Sequence, residues 1–232
     1  MRKVLFISAM RLGDSMHLLP IASWLHKQGD VKLDWMYHKT NYINSLVDIG
    51  IAQPCINAMR EFNYDDISPW KGRQIIGCWR PFHLVADYAD KLFNGYYDEI
   101  YCFGYSKEDY EHRKIEFFSE HFAQEHGLGV DYEFKLDYGS PDPSFKDHAV
   151  KLDKMYAPLL KDVQAIELSE DTHILRNLQL CAGAKEVITT RTGSAVALSL
   201  ARIPFKIKFV DGDFDWYMQL CHQITGGVQR IE

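Results

Sequence analysis

Val4-Leu-Phe-Ile-Ser-Ala-Met10-Arg11-Leu-Gly13-Asp14-Ser-Met-His17-Leu-Leu-Pro20 begins as a short apolar run, turns at Gly13 and then takes up helical spacing. The run is too short for a signal-peptide core, and charge follows at once in Arg11 and Asp14. It reads as a strand covered on both faces, the kind found in parallel sheets. Over residues 14–27, Met16, Leu19, Ala22 and Leu25 recur at threes and fours, which predicts a helix. Pro20 either kinks that helix or marks where its regular part begins. Gly29 and Asp30 close the segment, and residues 31–37 (Val-Lys-Leu-Asp-Trp-Met-Tyr) alternate as a second strand. Strand, glycine turn, helix and strand make a right-handed βαβ unit.

Further along, residues 41–47 read as a short helix, and residues 49–56 as a turn leading to a weak strand. Residues 57–80 are irregular and are expected to be loop. A helix over 81–93, a strand over 97–104 and a long amphipathic helix over 107–126, stopped by Gly127 and Gly129, complete a first α/β layer. Tyr138-Gly-Ser-Pro-Asp-Pro-Ser144 is the strongest breaker cluster, and a joint is expected at 127–145. The alternation then restarts. Strands are expected over 163–168, 186–190 and 204–210, and helices over 170–180, 193–201 and 214–224.

Composition narrows the class. With 47% apolar and 25% charged residues, the 232-residue chain is an ordinary globular one of one or two domains. A formal charge of −6 gives no field favouring nucleic-acid phosphates, so a nucleic-acid partner is not expected. Cys55, Cys78, Cys102, Cys181 and Cys221 are dispersed, odd in number and without a C-x-x-C pair. They read as the reduced thiols of a cytoplasmic protein. No run of about 20 apolar residues is present to cross a bilayer.

In open parallel sheets, ligands bind beyond the carboxyl ends of the strands, so the turns there are the places to look. In the first, Gly13 allows a tight turn and Asp14 falls where a helix N-cap is expected. Asp14 is then either a cap or a carboxylate that takes a proton from a hydroxyl group. His17 is either core or cleft-facing, and Arg11 either a solvated charge or an anion clamp. The turn lacks the G-x-G-x-x-G and Walker patterns, so neither a dinucleotide nor an NTPase reading is supported. The second turn is Thr189-Thr190-Arg191-Thr192-Gly193-Ser194, between a strand and a helix. It is either a capped helix start or an anion site for a diphosphate.

The first stretch resembles the opening of the bacterial heptosyltransferase family, glycosyltransferase family 9. That family begins with an apolar strand, an R-x-G-D turn and a Pro six positions after the Asp, which Arg11, Gly13, Asp14 and Pro20 match. Residues 31–37 resemble its second strand. The second stretch is similar to the family's D-T/S-G turn and its small-residue helix ending in G-x-P, through Thr192, Gly193, Ala197, Leu200, Ala201 and Pro204. Arg191 stands where the family has an acidic residue, and Val196 where it has a His. The family's K-x-W-P segment has no counterpart between residues 130 and 163, and the chain is short for the family.

The resemblance implies an α/β protein of two Rossmann-like domains (GT-B type). Residues 1–130 would be the acceptor side and residues 131–232 a reduced donor side, with chemistry in the cleft between them. It implies inverting, metal-independent transfer of a sugar from a nucleotide-sugar to a hydroxyl of a lipopolysaccharide-like glycan, with no cofactor besides the donor. Asp14 would be the general base, Arg11, Gly13 and His17 the acceptor contacts, and Thr190, Arg191, Thr192, Gly193 and Ser194 the donor contacts. A peripheral membrane contact is compatible with such an acceptor. The departures at Arg191 and Val196 leave an alternative, a relative that binds a nucleotide, glycan or protein without transfer. A modifying transferase acting on a nucleic-acid base is a third reading, opposed by the acidic charge.

Other clusters read as structural. Arg80 and His83 fit a packed aromatic loop better than acceptor contacts, and Glu108, Glu111, His112, Arg113 and Glu116 a solvated helix face. His121 and His126 lack metal-ligand spacing. Asp211-Gly-Asp-Phe-Asp215 lacks the later ligands of a calcium loop, and Trp216 and Tyr217 fit helix packing.

Overall fold

A run of apolar residues without alternation needs cover on both sides, and the computed structural model supplies it: Val4, Leu5, Phe6 and Ile7 in β1 (Arg2–Ser8) are fully buried. The structure describes residues 1–8, 10, 12–38, 43–63, 82–104, 118–152, 160–168, 173–190, 193–208 and 228–231. The chain divides into two compact units, Met1–Asp131 and Tyr132–Glu232.

In the first unit, β1, β2 (Val31–His38), β3 (Ala58–Phe62) and β4 (Glu99–Phe103) form a parallel sheet in the order β3-β2-β1-β4. Helices α1 (Leu12–Met16), α2 (Leu19–Lys27), α3 (Ile43–Ala52), α4 (Phe82–Phe93) and α5 (Phe118–Glu125) accompany it. Register sets the faces, because Leu5 lies between Asp34 and Ile100, and Ile7 between Met36 and Cys102. On that face Leu5, Ile7, Met36 and Phe62 pack with Val85 and Ala89 of α4 and with Tyr97. On the other face Phe6 meets Phe103 at 4.7 Å between ring centroids, and Phe103 meets Phe122 of α5 at 6.2 Å.

Three expectations for this unit change. The helix expected over 14–27 is two helices, α1 and α2, separated at His17 and Leu18. Pro20 sits in the first turn of α2, where its missing N–H and fixed φ cost nothing, so it starts the regular helix. Residues 49–52 continue α3 instead of turning. Gly50 lets the Met59 side chain of β3 lie close, since a Cβ on it would be 2.4 Å from the Met59 sulfur and that side chain would have to shift. The expected loop over 57–80 begins with strand β3, whose charged Arg60 and Glu61 hid it from an apolar reading. The rest of that loop, and residues 107–117 of the expected long helix, lie outside the described residues.

The second unit holds β5 (Ala149–Leu152), β6 (Ile166–Glu167), β7 (Glu186–Thr190), β8 (Phe205–Lys208) and β9 (Val228–Ile231), all parallel, in the order β6-β5-β7-β8-β9. Among the described residues its α-helices are α6 (Ile174–Gly183) and α7 (Gly193–Leu200). The strand expected over 163–168 shrinks to the two-residue edge strand β6, while β5 and β9 were not expected at all. The helix expected over 214–224, with the Asp211–Asp215 loop, lies outside the described residues.

The Ser-Pro-Asp-Pro cluster is no free joint. It forms a 3-10 turn (Pro143–Phe145) capped by Asp142, whose Oδ1 accepts the Ser144 N–H at 2.8 Å. That turn is docked on α6: the Asp142 N–H donates to the Gln179 carbonyl at 2.9 Å, and Arg176 pairs with the Asp142 carboxylate. Gly183 makes the docking possible, for a Cβ there would lie 1.7 Å from the Asp142 carbonyl oxygen. Backbone cannot swing away as a side-chain end does. Gly183→Ala is therefore expected to cost about 3 kcal/mol or more, read as a lowered urea midpoint at unchanged slope.

Candidate functional site

The path of the chain through each sheet marks where a ligand fits. From β1 the chain moves outward through β2 and β3, then returns to lay β4 on the other flank of β1. Such a reversal opens a crevice beyond the carboxyl ends of the two strands it separates, here β1 and β4. The turn that leaves β1 and enters α1 sits at that crevice. In the second unit β6 lies outside β5 and the chain returns to place β7 on the opposite flank. The reversal falls between β5 and β7, and the turn from β7 into α7 leaves from it. Each turn singled out in the sequence thus lies at the reversal point of its own sheet.

At the first, Gly13 and Asp14 are half-buried members of α1. The helix starts at Leu12, so Asp14 is its third residue and not the N-cap the sequence predicted. It remains in the first turn, where the helix dipole still favours a carboxylate. Beside it, Ser15 is fully buried, and its Oγ lies 2.5 Å from the Oγ of Ser8, the last residue of β1. Ser15 Oγ also donates to the Met10 carbonyl at 3.3 Å. Neither serine stands out in the sequence, since nothing in their spacing shows that a strand end and a helix turn meet. Arg11 lies outside the described residues.

His17 is 2% exposed in the joint between α1 and α2. Its ring packs on Phe118 at 5.2 Å, and its carbonyl accepts Ser119 Oγ at 2.8 Å. Of the two readings open from sequence, core and cleft-facing, the structure gives the core one. Nδ1 has no hydrogen-bond partner. Burial lowers the imidazole pKa from its ordinary 6.5 to about 4, so the ring is neutral near pH 7. The unfolded chain takes up this proton below pH 6.5 and the folded chain only near pH 4, so stability present above 6.5 is lost as pH falls through that window. Between pH 7.5 and 4.5 the loss from His17 is expected to be about 2–3 kcal/mol. Urea unfolding of His17→Phe at the two pH values should show that loss removed.

At the second reversal point, Thr189 and Thr190 at the end of β7 are buried. Thr189 Oγ1 donates to the Leu152 carbonyl of β5 at 2.5 Å, tying together the two strands that flank the crevice. Gly193 and Ser194 start α7 half-buried, and its residues from Ala195 to Leu200 are all buried. Val196 is among them, facing the packing. Arg191 and Thr192 lie outside the described residues. Lys208 ends β8 directly beside Thr190 in register, which puts a half-buried cation at the same edge of the sheet. The alternating Phe205-Lys-Ile-Lys208 pattern was the signal that could have found it. Among the described residues no group of three or more His, Cys, Asp or Glu is arranged to hold a metal ion.

The cysteines among the described residues are inert. Burial raises the Cys55, Cys102 and Cys181 thiols to about 12, so none is a thiolate nucleophile near neutrality.

No protein-family model matches the sequence, and no curated protein matches it. Solved structures do. The chain superposes on the E. coli heptosyltransferase WaaC with ADP at a TM-score of 0.61 and 13% identity, over 99% of this chain and 93% of that one. A glycosyl transferase family 9 protein from Veillonella parvula matches at 0.62 and 10%, over 99% and 86%. The E. coli ADP-heptose lipopolysaccharide heptosyltransferase II matches at 0.59 and 12%, over 99% and 90%. The fold is heptosyltransferase-like, an α/β architecture of two Rossmann-like parallel-sheet units. At these identities the likeness is one of fold.

Proposed function

We propose that this chain is a glycosyltransferase that moves a sugar from a nucleotide-sugar to a hydroxyl of a glycan acceptor. One observation carries the reading: a carboxylate-bearing turn and a Gly-Ser helix start each occupy the reversal point of their own sheet. In this reading the first unit takes the acceptor and the second the donor. Asp14 accepts the acceptor's proton as its oxygen attacks the anomeric carbon. The bond from that carbon to the diphosphate oxygen breaks, and the nucleoside diphosphate leaves with the electron pair. A single displacement of this kind inverts the anomeric centre.

On the donor side, free N–H groups at Gly193 and Ser194 would hold the departing diphosphate, with Thr190, Arg191 and Thr192 beside them. Lys208 adds a cation at the adjacent strand end, and no metal is called on. On the acceptor side, Arg11 and Gly13 would meet the glycan, while His17, buried in the core, would not. A lipopolysaccharide-like acceptor would bring the protein to a membrane surface from a cytoplasmic pool. Among the described residues no helix is long and apolar enough to cross a membrane.

A second reading has its own support. Val196 is buried in α7 where the resemblance calls for a donor-contacting His, so that contact is missing. A relative that keeps a diphosphate site without transfer fits this. Thermal unfolding in the presence of ADP, GDP and UDP, followed by assay of nucleotide release from ADP-, GDP- and UDP-linked hexoses and heptoses, separates the readings. At about 100 times its Kd a bound diphosphate stabilises by about 2.7 kcal/mol, a rise in Tm of several degrees. Stabilisation with release supports transfer, and stabilisation without release supports the binding relative. Neither effect would remove both.

A further inference from the structure

Ser8 and Ser15 are two of the few polar residues in the core, and they close a ring. Ser8 is 1% exposed and Ser15 fully buried, with 2.5 Å between their hydroxyl oxygens. Between them in sequence lies the whole turn that carries Arg11, Gly13 and Asp14. Each hydroxyl has one proton to give. Ser15 gives its own to the Met10 carbonyl inside the turn, so Ser8 must donate to Ser15. One orientation satisfies every bond. The turn is thus tied at both ends, to the final residue of the buried part of β1 and to its own backbone.

We propose that Ser8 and Ser15 are positioning residues that hold Asp14 in place for proton transfer. The inference rests on the reading of Asp14 as the base and adds to it the part that keeps the carboxylate still. α1 has only five residues, too short to hold its own shape. Besides the hydroxyl tie, backbone bonds fasten the end of α1, from the His17 N–H to the Asp14 carbonyl at 3.3 Å and from the Leu18 N–H to the Ser15 carbonyl at 3.0 Å. Misplacement of a catalytic group by about 1 Å is enough to cost about 100-fold in rate.

The test compares Ser8→Ala, Ser15→Ala and the double variant in the full chain. Each single variant leaves a buried hydroxyl short of a partner, so it loses stability as well as position. The double variant leaves neither serine hydroxyl behind and only the Met10 carbonyl short of its long 3.3 Å donor, so it is expected to stay folded with a smaller loss in urea midpoint than either single variant. Two readouts are taken: amide hydrogen exchange over residues 12–16, and steady-state sugar transfer from the nucleotide-sugar that the natural chain uses. Expected in the double variant are exchange faster by about tenfold or more in that segment alone, and kcat lower by about 10- to 100-fold with KM within about twofold. Because the pair acts as a unit, each single variant should lose about as much kcat as the double. Transfer by the natural chain with kcat unchanged in the double variant would overturn the positioning role and leave Asp14 as the base. Absence of transfer by the natural chain from any of the nucleotide-sugars would overturn the reading of the site, and this inference with it.

Discussion

Asp14→Asn is expected to lower kcat by about 10²- to 10⁴-fold with little change in donor affinity, the range that positioned general bases contribute. The substitution keeps the size and planarity of the side chain and removes its ability to take a proton. It also removes a negative charge from the first turn of α1, where the dipole interaction contributes about 0.3–1 kcal/mol to stability. A loss of 10²- to 10⁴-fold corresponds to about 3–5 kcal/mol in the barrier. The kinetic effect of a lost base is therefore several times larger than the structural effect of a lost first-turn carboxylate, and the two separate cleanly. Equal kcat in the two proteins would mean that Asp14 is only a helix-end charge.

The corner around Gly13 and the corner around Gly193 were legible because the strands feeding them, β1 and β7, are central in their sheets and buried on both faces. β1 is accordingly an apolar run and β7 a β-branched one without alternation (Val187-Ile-Thr-Thr190), and the turns that follow carry glycine and small polar residues. The strands that escaped are short or peripheral. β3 and β9 are edge strands with charged residues, and β5 has only four residues. β6 is two residues long, with nothing for a periodicity to act on. Gly50 misled because glycine serves equally for a turn and for close packing, and only the position of Met59 decides between them. The Ser8–Ser15 bond was illegible for a different reason, since it depends on how tightly the chain folds back between a strand and a helix. Arg11, Arg191 and Thr192, on which the resemblance also leans, lie outside the described residues.

Asp34→Ala should be among the most destabilising single changes in the first unit, by about 3–5 kcal/mol, while leaving the turnover of the folded fraction intact. Asp34 sits in the middle of β2, fully buried. Its oxygens accept from Asn57 Nδ2 at 2.6 Å, Arg60 Nε at 2.8 Å and Tyr97 Oη at 2.7 Å, and Arg60 Nη2 pairs with it at 2.7 Å. Burial alone would raise the Asp34 pKa, but the Tyr97, Asn57 and Arg60 hydrogen bonds together with the Arg60 charge outweigh it, and the net shift is downward. Removing the carboxylate strands a guanidinium over the Phe93 ring and a buried phenol at once. Against a total stability of about 5–15 kcal/mol for a domain, that is a large fraction. The sign of the pH effect follows from the direction of the shift. A carboxyl more acidic in the folded than in the unfolded chain contributes stability that is present above the ordinary aspartate value of 3.8 and is lost as pH falls through the lower folded value. His17 acts in the separate window between 6.5 and about 4. Stability should accordingly fall in two windows as the pH drops, with His17→Phe removing the upper loss and Asp34→Ala lessening the lower one, to which Asp142 also contributes. Asp34 pairs with Leu5 in register, whereas Asp14 follows the Ser8 end of β1, so the cluster braces the sheet three residues upstream of the site. If Asp34→Ala at a temperature where it is fully folded lost kcat as Asp14→Asn does, the bracing and the chemistry would have to be one network and not two.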